Sequence, residues 1–144
     1  LVARLQREHG IAFLFISHDL AVIQHVSDEV AVMYLGRIVE HAPAASLYRE
    51  PQHPYTQGLL NCRPRITPVK QPIAPIPGNV PDLADLPVGC AFADRCPLHQ
   101  TVCDTGPAPL VQVGSGHTSR CLRHVGFERS LDWTWSTTIE EVGK

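Results

Sequence analysis

Seven of the chain's 13 prolines are concentrated between residues 63 and 87. Proline has no backbone N–H donor and a fixed φ angle, so such a stretch cannot continue a helix or a central strand. These prolines are Pro64, Pro68, Pro72, Pro75, Pro77, Pro81 and Pro87. We therefore predict a surface connector over residues 62–87 that lacks regular structure and turns at the Pro-Gly-Asn sequence of residues 77–79.

The part of the chain before the connector, residues 1–61, alternates between the periodicities of helices and strands. Residues 1–9 fit one amphipathic helix, and residues 11–16 form a continuous apolar run. Such a run is typical of a strand that is buried on both faces of a parallel sheet. Ser17 or Asp19 can cap the helix that follows.

Two further strands are expected at residues 29–34 and 38–41, joined by a turn at Gly36. The order helix–strand–helix–strand predicts an α/β fold. In open parallel sheets, ligands bind beyond the carboxyl ends of the strands, and His18 lies at that place, after residues 11–16. Taken alone, a histidine at a helix start is more often a solvent-facing side chain that has no function.

The bulk composition argues against two classes of protein. The net charge is −2 and the sequence has no basic stripe, so nucleic-acid binding is not indicated. The longest apolar runs have about six residues, far fewer than the roughly 20 that a membrane-spanning helix needs. Hydrophobic residues make up 44% of the chain, which is enough for a core.

Residues 88–125 contain four of the five cysteines, with the spacing C-x5-C-x6-C-x17-C; they are Cys90, Cys96, Cys103 and Cys121. Four thiolates can complete either a tetrahedral zinc site or a four-iron four-sulfur cluster. The tight C-x2-C pair of zinc ribbons is missing. Ligands spread along irregular chain, with Pro97 beside Cys96, suit a bulky cluster.

Other interpretations of the cysteines remain open at this point. They could form two disulfides, or be four unrelated buried thiols. His99, His117 and His124 lie near them and could replace a ligand. Cys62 stands apart, before the connector, and is interpreted as a small apolar residue.

Four segments together carry a resemblance to one protein family. Residues 14–40, LFISHDLAVIQHVSDEVAVMYLGRIVE, resemble the switch-histidine segment of ABC transporter ATP-binding subunits. Residues 49–60, REPQHPYTQGLL, resemble the start of the C-terminal extension of oligopeptide and dipeptide transporter ATPases, and His53-Pro54 within them predicts a helix start with proline at the first position. Residues 75–103 and 116–124 resemble its continuation and its end. The resemblance covers nearly all of residues 1–125, with the motifs in the expected order.

The resemblance implies a role for His18 as the switch histidine, which contacts the γ-phosphate of ATP and helps to position the attacking water. Asp19 follows it, as in the family's Ser-His-Asp sequence, and Asp28 corresponds to a residue of structural importance.

For the four cysteines, the resemblance implies a four-iron four-sulfur cluster, with zinc as the alternative. An ATPase subunit works in the reducing cytoplasm, which disfavours disulfides. Residues 88–125 have few large apolar side chains, so the cluster's expected role is to supply folding free energy.

The 144 residues contain no G-x-x-x-x-G-K-[ST] phosphate-binding loop, no ABC signature and no strand ending in Asp-Glu. We therefore expect a C-terminal piece of an ABC ATPase, inactive alone, with ATP and magnesium bound only in the intact subunit. The predicted parts are the ATPase piece (1–61), connector (62–87), cysteine-rich extension (88–125) and unassigned tail (126–144).

The resemblance implies an importer of dipeptides or oligopeptides at the cytoplasmic face of the membrane. The expected partners are a second ATP-binding subunit, transmembrane permease subunits and, indirectly, a peptide-binding protein, with no nucleic acid. The alternatives are a stand-alone metal-binding or iron–sulfur module and a non-catalytic subunit associated with a transporter.

Overall fold

A computed structural model of the protein describes residues 2–62 and 75–125. Its helices are α1 (Val2–His9), α2 (Leu20–Val26), α3 (Ala44–Arg49) and α4 (Pro54–Asn61). Its strands are β1 (Glu29–Tyr34), β2 (Arg37–Pro43), β3 (Val111–Gly114) and β4 (His117–Ser119). Three 3-10 turns lie in the cysteine-rich part, at Ala93–Arg95, Thr101–Asp104 and Leu122–His124.

The four strands form one sheet in the order β1-β2-β4-β3, with every neighbouring pair antiparallel. The α/β class is confirmed, but the expected parallel sheet is wrong. A two-residue turn joins β1 to β2, and so short a connection allows only antiparallel neighbours. Within that turn, Leu35 (φ 45°) and Gly36 (φ 76°) both have positive φ angles, which match the twist of the hairpin.

β2 and β4 lie on opposite sides of the connector in sequence and pair directly in the sheet. Glu40 is opposite Ser119 and His41 is opposite Thr118. The part of the chain after the connector therefore completes a sheet that the part before it begins.

The apolar run of residues 11–16 is not a strand, and this prediction was wrong. Leu14 and Ile16 are 90% and 95% exposed. A strand forms only against a hydrogen-bonded neighbour, and in the described part of the chain the four-stranded sheet has no member beside this run. The run is apolar enough for a buried strand but has no pairing partner among residues 2–62 and 75–125.

Two helix starts follow their local sequence signals. Asp19, rather than Ser17, caps α2, and His53 caps α4, with Pro54 at its first position. Each cap satisfies backbone N–H groups that the first turn of a helix leaves without a partner. These parts of the prediction are confirmed.

The core lies between the β1–β2 hairpin and the elements that cover it. Ile23 of α2 and Leu47 of α3 pack against the hairpin, and Phe92 of the extension is 1% exposed in the same cluster. The rings of Tyr34, Tyr55 and Phe92 contact one another, with centroid distances of 4.6 to 5.4 Å. The hairpin, α4 and the extension thus share one core.

The described part of the connector, residues 75–87, contains neither helix nor strand and is mostly exposed, as predicted. Gly78 has a φ of 71° within the expected turn. Residues 63–74 lie outside the described residues, as does the tail 126–144. None of the helices in residues 2–62 and 75–125 has the length and apolar character required to cross a bilayer.

Candidate functional site

The Ser-His-Asp turn directly precedes α2. The Asp19 carboxylate accepts hydrogen bonds from the N–H groups of Ala21 (2.9 Å) and Val22 (3.2 Å). The Asp19 N–H donates to the hydroxyl of Ser17 at 3.0 Å. The first and third residues of the motif therefore shape the turn, while the second, His18, has an exposed side chain.

Helix α2, which follows His18, is held in place by α3. The Tyr48 hydroxyl donates to the carbonyl of Leu20, at the first residue of α2, at 2.6 Å. The Ala44 N–H at the start of α3 donates to the carbonyl of Asp28, beyond the other end of α2, at 2.8 Å. Asp28 therefore contributes to structure through its backbone.

The carboxylate of Glu40, in the middle of β2, is buried with no exposed surface. Its Oε1 accepts from the Gln52 N–H (2.6 Å) and from the Nε2 of His117 (2.7 Å), and its Oε2 accepts from the His53 N–H (2.9 Å). One carboxylate therefore links β2, the segment before α4, and β4.

His53 forms a second link to the extension. Its Nδ1 accepts from the Tyr55 N–H at 3.1 Å, which caps α4, and its ring donates to the backbone carbonyl of Arg120. Burial, with a contribution from nearby His124, lowers the pKa of His53 to about 4, despite the hydrogen bond to Arg120. The ring is therefore neutral at pH 7.

Arg120 also links the extension to β2 by hydrogen bonds. Its backbone N–H donates to the carbonyl of Val39 at 2.7 Å, and its guanidinium Nε donates to the carbonyl of Ile38 at 3.0 Å. The Nη1 of the same guanidinium donates to the carbonyl of Ala108 at 2.9 Å. These bonds hold the chain immediately before Cys121.

The sequence did not lead us to Glu40 or to its partners. A signal was present, since Glu40 interrupts a strand between Val39 and Ala42, where a buried acid requires donors. The His-Pro-Tyr and Gly-His-Thr motifs supply two of these donors from distant parts of the sequence. These motifs, which carried the family resemblance, meet at one carboxylate.

The structure brings Cys90, Cys96, Cys103 and Cys121 together. Burial raises the pKa of the Cys96 thiol to about 12 and that of the Cys121 thiol to about 11, and repulsion from the other thiols of the group adds to both shifts. Burial, with repulsion from Cys103, also raises the pKa of Cys90. None of these four cysteines forms a disulfide.

Backbone N–H groups are directed at three of these sulfur atoms. The Cys90 sulfur accepts from Phe92 and Ala93, the Cys96 sulfur from Leu98, and the Cys121 sulfur from Arg123. Each contact lowers the thiol pKa and so favours the thiolate, which is the form that binds metals. Each of these donors lies two or three residues after its cysteine in the sequence.

The three histidines considered as replacement ligands each have another partner. His117 Nε2 bonds to Glu40, His124 Nε2 lies 3.0 Å from the carbonyl of Gln52, and His99 Nε2 lies 2.9 Å from the Asp104 carboxylate. Across residues 2–62 and 75–125, no three or more His, Cys, Asp and Glu side chains have the arrangement of a metal-ion site.

Cys62 is located differently from the other four cysteines. It ends α4, where its backbone N–H donates to the carbonyl of Gly58, and it is half-buried. It was expected to be a small apolar residue in a buried position, and it is less buried than expected.

Comparison with known proteins gives consistent matches. Residues 39–103 match the family described as the oligopeptide/dipeptide transporter C-terminal region. The chain is 45% identical, over 129 residues, to a putative peptide import ATP-binding protein of Brucella ovis. It is 46% identical, over 122 residues, to a probable peptide ABC transporter ATP-binding protein of Sinorhizobium fredii.

These alignments cover 85% and 84% of the chain, but only 38% and 35% of the two relatives. The chain therefore spans less than two fifths of the length of the curated relatives that it matches. The two relatives are named as a peptide import and a peptide ABC transporter ATP-binding protein. The chain belongs to the oligopeptide/dipeptide transporter family, and residues 39–103 match that family's C-terminal region.

Proposed function

We propose that this chain is the C-terminal part of the ATP-binding subunit of an ABC importer, which couples ATP hydrolysis to the uptake of di- or oligopeptides. The observation that carries the proposal is the Ser-His-Asp turn. Ser17 and Asp19 determine its shape, and the exposed His18 is located at the start of a helix that is packed on the core. The names of the relatives support the transport of peptides.

In the intact subunit, His18 would contact the γ-phosphate and help to orient the attacking water. ATP and magnesium would be bound by a phosphate-binding loop and by acidic residues that these 144 residues do not contain. A second ATP-binding subunit and transmembrane permease subunits would be the partners, at the cytoplasmic face of the membrane. A peptide-binding protein would act indirectly.

The pairing of β2 with β4 favours this function over a stand-alone metal-binding module. The extension shares a sheet and a core with residues of the ATPase piece, and its His117 bonds to the buried Glu40. A module that folds independently would not need its core completed by a neighbouring segment.

Substitution of His18 by alanine tests the proposal in the full-length subunit. We expect kcat for ATP hydrolysis to fall by about 100-fold while the KM for ATP changes little, because the contact matters most when the γ-phosphate reacts. Steady-state ATPase assays measure both constants. His9→Ala, at the exposed end of α1, is the control and should retain full activity.

Two outcomes would contradict the proposal. The first is unchanged kcat in His18→Ala. The second is saturable, micromolar binding of ATP to the 144-residue chain by calorimetry, since this chain lacks the phosphate-binding loop.

We further propose that Cys90, Cys96, Cys103 and Cys121 hold a four-iron four-sulfur cluster. The proposal rests on four thiols that form no disulfide and lie within electrostatic reach of one another, and three of them accept backbone N–H bonds. In residues 2–62 and 75–125 these thiols do not have the arrangement of a metal-ion site, so binding of the cluster would have to bring them closer together. Hydrogen bonds to ligand sulfurs are one of the means by which proteins tune such clusters. When bound, the cluster would supply one-electron redox chemistry and cross-link the turns of the extension.

The cluster proposal makes a prediction about metal content. Protein purified without oxygen should be brown and contain about four iron and four sulfide per chain. Replacing any one of the four cysteines by serine should lower the iron content, whereas Cys62→Ser should retain it. Iron and sulfide assays, with visible absorption, measure the difference.

Three results would refute the iron–sulfur assignment. One zinc per chain as the sole metal would indicate a zinc site. Four thiols that react freely in folded, metal-free protein would exclude ligation, and paired disulfides in protein from cytoplasm would do the same.

A further inference from the structure

Helix α3 links the helix that follows His18 to the strand that carries Glu40. It begins directly after β2, at Ala44, whose N–H donates to the carbonyl of Asp28. Its buried Leu47 has no exposed surface, so the helix is anchored in the core. A side chain of α3 that bonds to α2 therefore connects α2 to the core.

Tyr48 is that side chain. Its hydroxyl donates to the Leu20 carbonyl at 2.6 Å across a separation of 28 residues, and the bond is partly buried. Leu20 is the first residue of α2 and lies two positions after His18. Asp19, between them, is fixed to the same first turn by its bonds to Ala21 and Val22.

The contacts on the other residues of the turn are local. Ser17 and Asp19 bond within two or three positions of themselves, so they define the shape of the turn but not its location on the protein. Two contacts locate α2 relative to the core. Ile23 is buried in the core cluster, and the hydroxyl of Tyr48 bonds to the carbonyl of Leu20 at the start of the helix, next to the turn.

We infer that Tyr48 is a positioning residue for His18 in ATP hydrolysis. This inference rests on the proposed function, because it assigns the residue that holds the switch histidine where the γ-phosphate reacts. Displacement of a catalytic group by about 1 Å can cost as much as 100-fold in rate, so one anchoring bond has a measurable effect on turnover.

The first test uses the 144-residue chain and Tyr48→Phe, which removes only the hydroxyl. Loss of one hydrogen bond should speed amide hydrogen exchange in α2 by about fivefold, without a comparable effect in β1 or β2. Tyr55→Phe is the matched control, because the Tyr55 ring packs on Tyr34 and Phe92, away from α2. Unchanged exchange in α2 would overturn the inference.

The second test measures ATP hydrolysis by the full-length subunit. Tyr48→Phe should lower kcat by about five- to tenfold and leave the KM for ATP within about twofold, while Tyr55→Phe retains kcat. In the His18→Ala background, Tyr48→Phe should have no further effect on kcat, because the two residues act through one contact.

The outcomes separate this inference from the proposed function. If His18→Ala leaves kcat unchanged, the proposed function fails. If His18→Ala lowers kcat but Tyr48→Phe does not, only the positioning role fails. A decrease caused by Tyr48→Phe that persists undiminished in the His18→Ala background would also refute positioning, since the effect would then not pass through His18.

Discussion

Replacing Glu40 with alanine should lower the free energy of unfolding by about 3–5 kcal/mol, because it leaves three buried hydrogen-bond donors without an acceptor. Two backbone N–H groups and the His117 ring would lose their acceptor at a site with no exposed surface. Small domains have a total stability of about 5–15 kcal/mol, so the substitution should remove a large fraction of it. Urea denaturation followed by circular dichroism measures the loss.

Glu29→Ala is the matched control for Glu40→Ala. Glu29 also faces a histidine, since its carboxylate lies 3.4 Å from His41 Nε2 on the same hairpin, but its side chain is 66% exposed. Solvent screens exposed pairs, and their removal costs about 0–1 kcal/mol. Equal effects of the two substitutions would show that the Glu40 carboxylate does not carry the link between β2 and the extension.

The position of Glu40 has a consequence for the proposed function. Its three donors come from the segment before α4 and from β4, so the carboxylate joins residues 2–62 to the cysteine-rich extension. The same strand leads directly into α3, whose Tyr48 contacts α2. A structural change in the extension, such as loss of the proposed cluster, would therefore reach the helix that follows His18 through bonded neighbours.

Features of the fold that depend on adjacent residues could be predicted from the sequence. The cap at Asp19, the turn at Gly36, the helix start at Pro54 and the irregular connector all follow from the chemistry of one or two side chains. The structure confirms each of these within residues 2–62 and 75–125.

Features that depend on distant partners could not be predicted in the same way. The bond between His117 and Glu40 spans 77 residues, and neither residue indicates its partner locally. The run of residues 11–16 shows the opposite error, because its apolar character predicted a strand, although pairing requires a neighbour. Periodicity reports which face a segment can bury, but not what will cover it.

The same distinction between local and long-range features applies to the candidate site. The spacing of the four cysteines suggested a shared site, and the structure places their thiols within electrostatic reach of one another. Their cofactor and the catalytic role of His18 stay predictions. The backbone N–H groups directed at the sulfurs depend on turns that the sequence pattern did not specify.

Gly89→Ala should have an effect comparable to that of Glu40→Ala, for a steric reason. Gly89 is buried, and a Cβ at this position would overlap the carbonyl oxygen of Cys103 and lie 2.7 Å from the Cα of Asp104. Both obstacles are backbone atoms, so no side-chain rotation relieves the overlap. The two segments would have to separate, which breaks the 2.7 Å bond from the Cys90 N–H to the Cys103 carbonyl.

We expect Gly89→Ala to lower the free energy of unfolding by about 3 kcal/mol, the upper range for overpacking. Gly106→Ala, in the same extension, is the control, because a Cβ there meets no atom within 4 Å. Its effect should stay within about 0.5 kcal/mol. Urea denaturation measures the stability of both variants. Iron analysis of protein purified without oxygen tests whether the contact at Gly89 also affects the proposed cluster. The hydrogen bond between Cys90 and Cys103 joins the two segments, so their separation should lower stability and iron content together. Unchanged stability in Gly89→Ala would show that Gly89 does not lie against the backbone of Cys103 and Asp104.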